Sequence, residues 1–367
     1  MRLPSRLCHA TRLSLAVVGS FMLMLAVLPS FAQGTKDNGI INFGQPSFTL
    51  PDTYQAHFAL GQEAMQKGDL DKAIVEFSEC VRIFKPYMGI SKADISFDKR
   101  MADDLFFQPL SNTLVNLGHA LRQNNNLDKA IETYTMAADV CPGCVAAHSS
   151  LGSALIAKAG ALQASAVAAH FPQGNPGLSD EQSNLYRTAI AHLHVARQLD
   201  PQEASSYINL SRALLRWGMR DGAVRQARSA VDLAKDDPEA YLVLGEAMLS
   251  VSQLPAAADA FKRAASLSTG NSASYQAVIQ NNIGTVASAS GDWAAALEAY
   301  KKAAELDPSC ADYANNAGVM LRNLGEKGWA DTALRGAVTL NPASVEQYMN
   351  LAAALRDKGD FKGAAEA

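Results

Sequence analysis

The chain has 367 residues and a formal charge of −4. Three of its 32 Lys and Arg fall in the first 32 residues, which hold no acid, so the remainder carries 29 bases against 36 acids, a net −7. An acidic body without a basic block argues against a nucleic-acid partner, and alternating helical patterns without strand-like runs leave two ordinary domains or one repeating array.

The N-terminus has the three parts of a secretory signal. Arg2, Arg6 and Arg12 form a positive lead, and Leu13 to Leu28 is apolar apart from Ser14, Gly19 and Ser20. Ser30-Phe31-Ala32 supplies a small-x-small site, so cleavage is expected after Ala32. An uncleaved anchor is the alternative, but a run of about 16 apolar residues is short for a span of roughly 20. No Cys follows the run, which argues against a lipid-modified N-terminus. The signal is bacterial in style and predicts export to the periplasm or beyond. Residues 33–53 read as linker, rich in turn formers and lacking either period. Ile40, Ile41, Phe43 and Phe48 are expected to be loosely held.

From Tyr54 onward the chain repeats itself, which decides for the array. A small residue in the first helix of each repeat marks the phase: Gly61, Gly118, Gly152, Ser211, Gly245, Gly284, Gly318 and Ala352. The spacings are 57, 34, 59, 34, 39, 34 and 34. Twelve residues after each marker stands a second small residue: Ala73, Ala130, Ala223, Ala257, Ala296, Ala330 and Ala364, with Ala189 in the third repeat after an insertion. Small residues are needed where two helices close to about 8–10 Å. The leucines beside the markers (Leu60, Leu117, Leu151, Leu210, Leu244, Leu351, with Ile283) are expected to fill the adjoining space, and Trp293, Leu297, Tyr300 and Leu306 to supply bulk between the helices of their repeat. Gly68-Asp69, Gly291-Asp292 and Gly359-Asp360 read as a helix end followed by an Asp cap.

The 34-residue period and the Asn-Leu-Gly wording resemble the tetratricopeptide repeat (TPR) family. That resemblance implies an all-α fold, an α-solenoid of about eight helix-turn-helix units forming a right-handed superhelix with an incomplete last unit. The units lie near 54–86, 111–144, 145–203, 204–237, 238–272, 277–310, 311–344 and 345–367. An insertion occupies 87–110, expected as a short helix or an edge-packed loop. A second, 160–185, is predicted to be a helical hairpin. Its Ala-rich start continues a helix to about Phe171, Pro172 to Gly177 break it, and Ser179 with Gln182 form a capping box.

Residues that carry chemistry are sparse. Cys141-Pro-Gly-Cys144 falls in the turn joining the second and third repeats. A local disulfide, two free thiols, a metal site with His148, and redox catalysis all remain open there. Cys310 is placed too far from Cys144 for bridging. Cys80 sits at a core position, and Cys8 leaves with the signal. His57, His119, His148, His170, His192 and His194 are not expected to converge. No Ser/His/Asp grouping, phosphate loop or paired carboxylates stand out, and neither cofactor nor metal is predicted.

One recurrence rises above packing. Two residues before the marker stand Asn116, Asn209, Asn282, Asn316 and Asn350, interrupted by Ala59, Ser150 and Val243. This pattern is similar to the asparagine ladder of the superhelix in O-GlcNAc transferase, which implies a concave groove whose amides grip an extended peptide backbone. His119, Arg212 and Arg216 join it as groove residues, and Arg122, Arg322 and Arg356 are candidates for a basic rim. The expected function is a non-catalytic protein-interaction scaffold of the bacterial envelope, with a protein or peptide partner, no nucleic acid and no membrane span after signal cleavage. The alternative is the substrate-recognition arm of a glycosyltransferase-like enzyme whose catalytic domain lies outside this chain, although nucleotide-sugar donors are cytosolic.

Overall fold

The computed structural model describes residues 41–42, 47–48, 52–85, 106–168 and 179–367. The signal and its cleavage site, most of the linker with Phe43, residue 86, residues 87–105 of the first insertion, His170 and the 172–177 break lie outside the described residues. Within the linker a short antiparallel pairing, β1 (Ile41–Asn42) with β2 (Ser47–Phe48), sets Ile41 opposite Phe48. Everything else described is helix and turn.

The helices come in antiparallel pairs. They are α1 (Asp52–Lys67) and α2 (Leu70–Phe84), α3 (Gln108–Gln123) and α4 (Leu127–Val140), α5 (Val145–Ala168) and α6 (Asp180–Leu199), and α7 (Ala204–Trp217) and α8 (Arg220–Leu233). There follow α9 (Pro238–Ser250) and α10 (Leu254–Leu267), α11 (Ala273–Ala289) and α12 (Trp293–Leu306), α13 (Ala311–Asn323) and α14 (Lys327–Leu340), and α15 (Val345–Lys358) and α16 (Phe361–Glu366). The described residues from 52 onward divide into two compact bodies, one of 52–85, 106–159 and 184–209 and one of 160–168, 179–183 and 210–367.

Local chemistry explains each turn. Seven residues after the marker the backbone enters the left-handed region, at Gly68, Asn125, Gly218, Ser252, Gly291, Gly325 and Gly359. A left-handed residue ends a helix and lets the chain reverse, and glycine adopts it without steric cost. After three of these turns an Asp caps the next helix. Asp69, Asp292 and Asp360 accept from the backbone N–H three residues on, at 3.2, 3.0 and 2.9 Å. Opening α6, Ser179 and Gln182 form the reciprocal capping box: Ser179 N donates to Gln182 Oε1 at 2.9 Å and Gln182 N to Ser179 Oγ at 3.2 Å. Both flanks of the 160–185 segment are therefore helical, with α5 ending at Ala168.

The core repeats as well. The marker glycine of each first helix is covered by a large side chain sixteen residues later: Phe77 over Gly61, Tyr134 over Gly118, Phe261 over Gly245, Tyr300 over Gly284 and Leu334 over Gly318. In the third pair Leu193 covers Gly152. A Cβ at any of these glycines would stand 2.4–2.7 Å from its neighbour, so only hydrogen fits. The fourth pair solves the same crossing differently. Ala227 replaces the large residue, and Ser211 takes the glycine's place with its hydroxyl donating to Ala223 O at 2.9 Å. The alanines predicted for the second helices, Ala73 to Ala330, are fully buried, while Ala364 is half-buried.

Two packing expectations need correction. Trp293 and Leu60 are exposed rather than wedged between helices. Trp293 is the first residue of α12, ahead of the buried stripe of Ala296, Leu297 and Tyr300, and Leu60 lies on the outer side of the first pair. At the other end of the first pair, Phe106 packs edge-on against Phe84 with ring centroids 5.4 Å apart, so the end of the first insertion joins the core.

Candidate peptide-binding face

First helices of consecutive pairs touch directly, α9 with α11 and α13 with α15. Their shared face is where the sequence places its asparagines, and it is laced with polar contacts.

In the first body, His119 Nε2 meets Ser150 Oγ at 3.1 Å, and Arg122 donates to Ser153 Oγ at 3.2 Å, joining α3 to α5. Burial, with Arg122 beside it, pushes the His119 pKa down to about 3, so the imidazole is neutral at any ordinary pH. Asn116 turns back to its own helix, donating to Asn112 O at 2.8 Å. Asn209 is half-buried and has no hydrogen-bond partner among the described residues.

In the second body the amides form rungs. Asn316 Nδ2 donates to Asn281 Oδ1 at 2.9 Å, and Asn350 Nδ2 donates to Asn315 Oδ1 at 3.0 Å. Asn282 has no hydrogen-bond partner among the described residues. A carboxamide has two N–H donors and an oxygen with two lone pairs, so each rung leaves one N–H of Asn316 or Asn350 and their own oxygens unused. Asn281 and Asn315 were missed in the sequence. Their signal was the doubled Asn-Asn at 281–282 and 315–316, which a single-position reading passes over.

Two of the arginines are neutralised by carboxylates of the next repeat. Arg212 Nη1 pairs with Glu239 Oε1 at 2.5 Å, joining α7 to α9, and Arg322 pairs with Asp357 at 3.5 Å. Burial opposes charge on Arg212, but Glu239 and Glu246 outweigh it and its pKa is raised. Asp237, which caps α9 by accepting from Glu239 N at 2.8 Å, is raised by burial. Arg216 and Arg356 are exposed.

Cys141 and Cys144 form a disulfide with Cα atoms 5.3 Å apart. Cys80 is buried, and burial pushes its thiol up to about 12. The histidines do converge at one place, contrary to expectation: His148 Nδ1 and His192 Nδ1 are 2.9 Å apart across α5 and α6. The insertion inside this repeat carries His192 onto the helix facing His148. Because His148 Nε2 lies 3.1 Å from Pro142 O, it carries the proton there and its Nδ1 accepts from His192. Burial lowers the His192 pKa and His148 lowers it further. Among the described residues, no group of three or more His, Cys, Asp or Glu is arranged to hold a metal, and no helix is long and apolar enough to cross a membrane.

The tetratricopeptide repeat profile matches residues 115–169, 208–272 and 281–328, and a second profile of the same repeat matches 54–86. The chain belongs to the tetratricopeptide repeat family. No relative among the curated proteins matches the sequence. Among solved structures it is similar to a tetratricopeptide repeat protein of Parabacteroides merdae, at 12% identity and a TM-score of 0.55, covering 86% of this chain and all of that one. It is also similar to the Cut9–Hcn1 hetero-tetramer of APC/C, at 16% identity and a TM-score of 0.56, covering 82% of this chain. The chain spans 55% of the length of that one. At such identities the likeness is one of fold. As a TPR array the chain has the architecture of a protein–protein interaction scaffold, and no enzyme family is indicated.

Proposed function

We propose that this TPR protein is a non-catalytic scaffold exported to the bacterial envelope, where the first-helix face of its second body holds an extended segment of a protein partner. The observation that carries the reading is the row of amides on that face: Asn282 with no hydrogen-bond partner among the described residues, then the Asn281–Asn316 and Asn315–Asn350 rungs with unused donors and acceptors. A carboxamide offers donor and acceptor together, matching one peptide unit without reading its side chain. The 34-residue period repeats that offer along the array. Export rests on the signal-like first 32 residues.

The test uses peptides tiled from envelope proteins, first selected on the wild-type chain. Asn282→Ala removes an amide that makes no internal hydrogen bond, so helicity and melting temperature are expected to persist. Loss of one or two bonds to the ligand, each worth about 0.5–1.5 kcal/mol, should weaken binding roughly 2–150-fold. A selected peptide N-methylated along its backbone should bind worse than one with exchanged side chains. Unchanged affinity for Asn282→Ala together with tolerance of N-methylation would remove the site from this face.

A further inference from the structure

Five residues before its marker, each first helix from α3 onward carries a side chain that the fold buries. Thr113, Ala147, Ser206, Ala240, Ile279 and Tyr313 hold this place in successive repeats. In the last repeat it is held by Gln347, which is 1% exposed. A carboxamide there must find partners for both ends. Its Nε2 donates to Asp312 Oδ1 on α13 at 3.1 Å. Its Oε1 is buried and accepts a hydrogen bond from no group among the described residues. An ionised carboxylate is acceptor-only and offers that oxygen no proton, whereas a protonated one has an O–H to give.

We propose that Asp312 and Gln347 form a proton-operated latch, in which one proton on Asp312 supplies the donor that Gln347 Oε1 lacks and fastens α15 to α13. A neutral acid against a carboxamide places two donors against two acceptors. An ionised acid leaves one buried oxygen stranded. The surroundings favour the neutral form. Burial raises the Asp312 pKa to about 6, Glu346 on α15 pushes the same way, and the Gln347 bond opposes both. Burial raises the Tyr313 phenol to about 12, and Asp307, in the turn before α13, and Asp312 push it the same way. Toward the other end of the two helices the Arg322–Asp357 pair joins them without touching the latch.

The sign follows from linkage. Docking raises the Asp312 pKa above its ordinary 3.8, so the docked state binds more protons. The latch contributes fully below the ordinary value and is lost as pH rises through about 6. The last pair is held tightest in mild acid and loosens toward neutrality. The Asn315–Asn350 rung sits in the same junction and loosens with it. The latch stands or falls independently of the peptide-binding reading, because its test needs no ligand.

Two measurements on the full chain decide it. A carbon NMR titration of the Asp312 carboxyl should show a midpoint near 6. Amide exchange along α15, corrected for the intrinsic pH dependence, should be about tenfold better protected at pH 5 than at pH 7. Asp312→Asn keeps the acceptor and adds a permanent N–H, so α15 should be protected at both pH values with no slope between them. Titration of Asp312 near its ordinary value, or an α15 pH slope that survives Asp312→Asn, would overturn the proposal. If Asp312→Asn does not fold, the carboxyl titration of the wild-type chain decides alone.

Discussion

Gly245→Ala and Gly336→Ala make the same chemical change in the second body and should move stability in opposite directions. Both glycines are helical, so each substitution gains about 0.5–1 kcal/mol from helix propensity and reduced backbone entropy. At Gly336 nothing lies within 4 Å of the new methyl, and the gain is kept. At Gly245 the methyl would stand 2.4, 2.5 and 2.7 Å from three ring carbons of Phe261, itself fully buried. Carbon atoms pack best at about 3.5–4.0 Å, so the ring must retreat by about 1 Å into a close-packed interior. Overpacking of this kind costs about 1–3 kcal/mol. The propensity gain is common to both and cancels, so the gap between the variants is the steric cost alone. In a body of this size 1 kcal/mol is about 2–4 °C, which puts the two melting temperatures about 2–12 °C apart. Because repeat arrays unfold in parts, amide exchange should also place the loss in α9 and α10. Equal melting temperatures for the two variants would refute the account of why a glycine stands at the crossing.

The remaining expectations are local. Ser252 holds the left-handed turn position that glycine holds in five other repeats, at φ 60°. Ser252→Gly should stabilise the fifth pair by up to about 1 kcal/mol, read by thermal unfolding, and Gly291→Ser should do the reverse. Reducing Cys141–Cys144 opens a four-residue loop, worth at most about 2 kcal/mol by chain entropy. Protection should fall in the first turn of α5 while α13 to α15 are unaffected.

The markers read from the sequence all fall in first helices of the described pairs, because in most repeats the same steric demand recurs at the marker and at the alanine twelve residues on. Such a demand is visible in one sequence when it is met many times. Features met once were not. The His148–His192 contact depends on how the insertion in the third repeat returns the chain to α6. The pairing of Arg212 with Glu239 brings together residues of adjacent repeats, where the sequence marked Arg212 alone as a groove residue. The asparagine face was legible in position but not in use. Counting one residue per repeat suggested a row of free amides, whereas Asn316 and Asn350 each spend a donor on the neighbouring helix.

That expenditure has a measurable consequence. The alanine columns of the core are nearly identical from repeat to repeat, so they bind neighbouring helices without naming which residue opposes which. The Asn315–Asn350 rung does name its partner, since Asn315 is almost wholly buried and a shifted register would strand its amide. Asn350→Ala leaves the Asn315 oxygen without its donor, at about 1–3 kcal/mol. Asn315→Ala leaves only the half-exposed Asn350 amide, which water reaches, and should cost less. If the two act as one bond, the double variant should cost less than the sum of the singles, with a coupling of about 0.5–1.5 kcal/mol. The cycle is read from denaturant unfolding and from exchange in α15. Additive losses would mean that the rung is incidental and that apolar packing alone sets the register of the array.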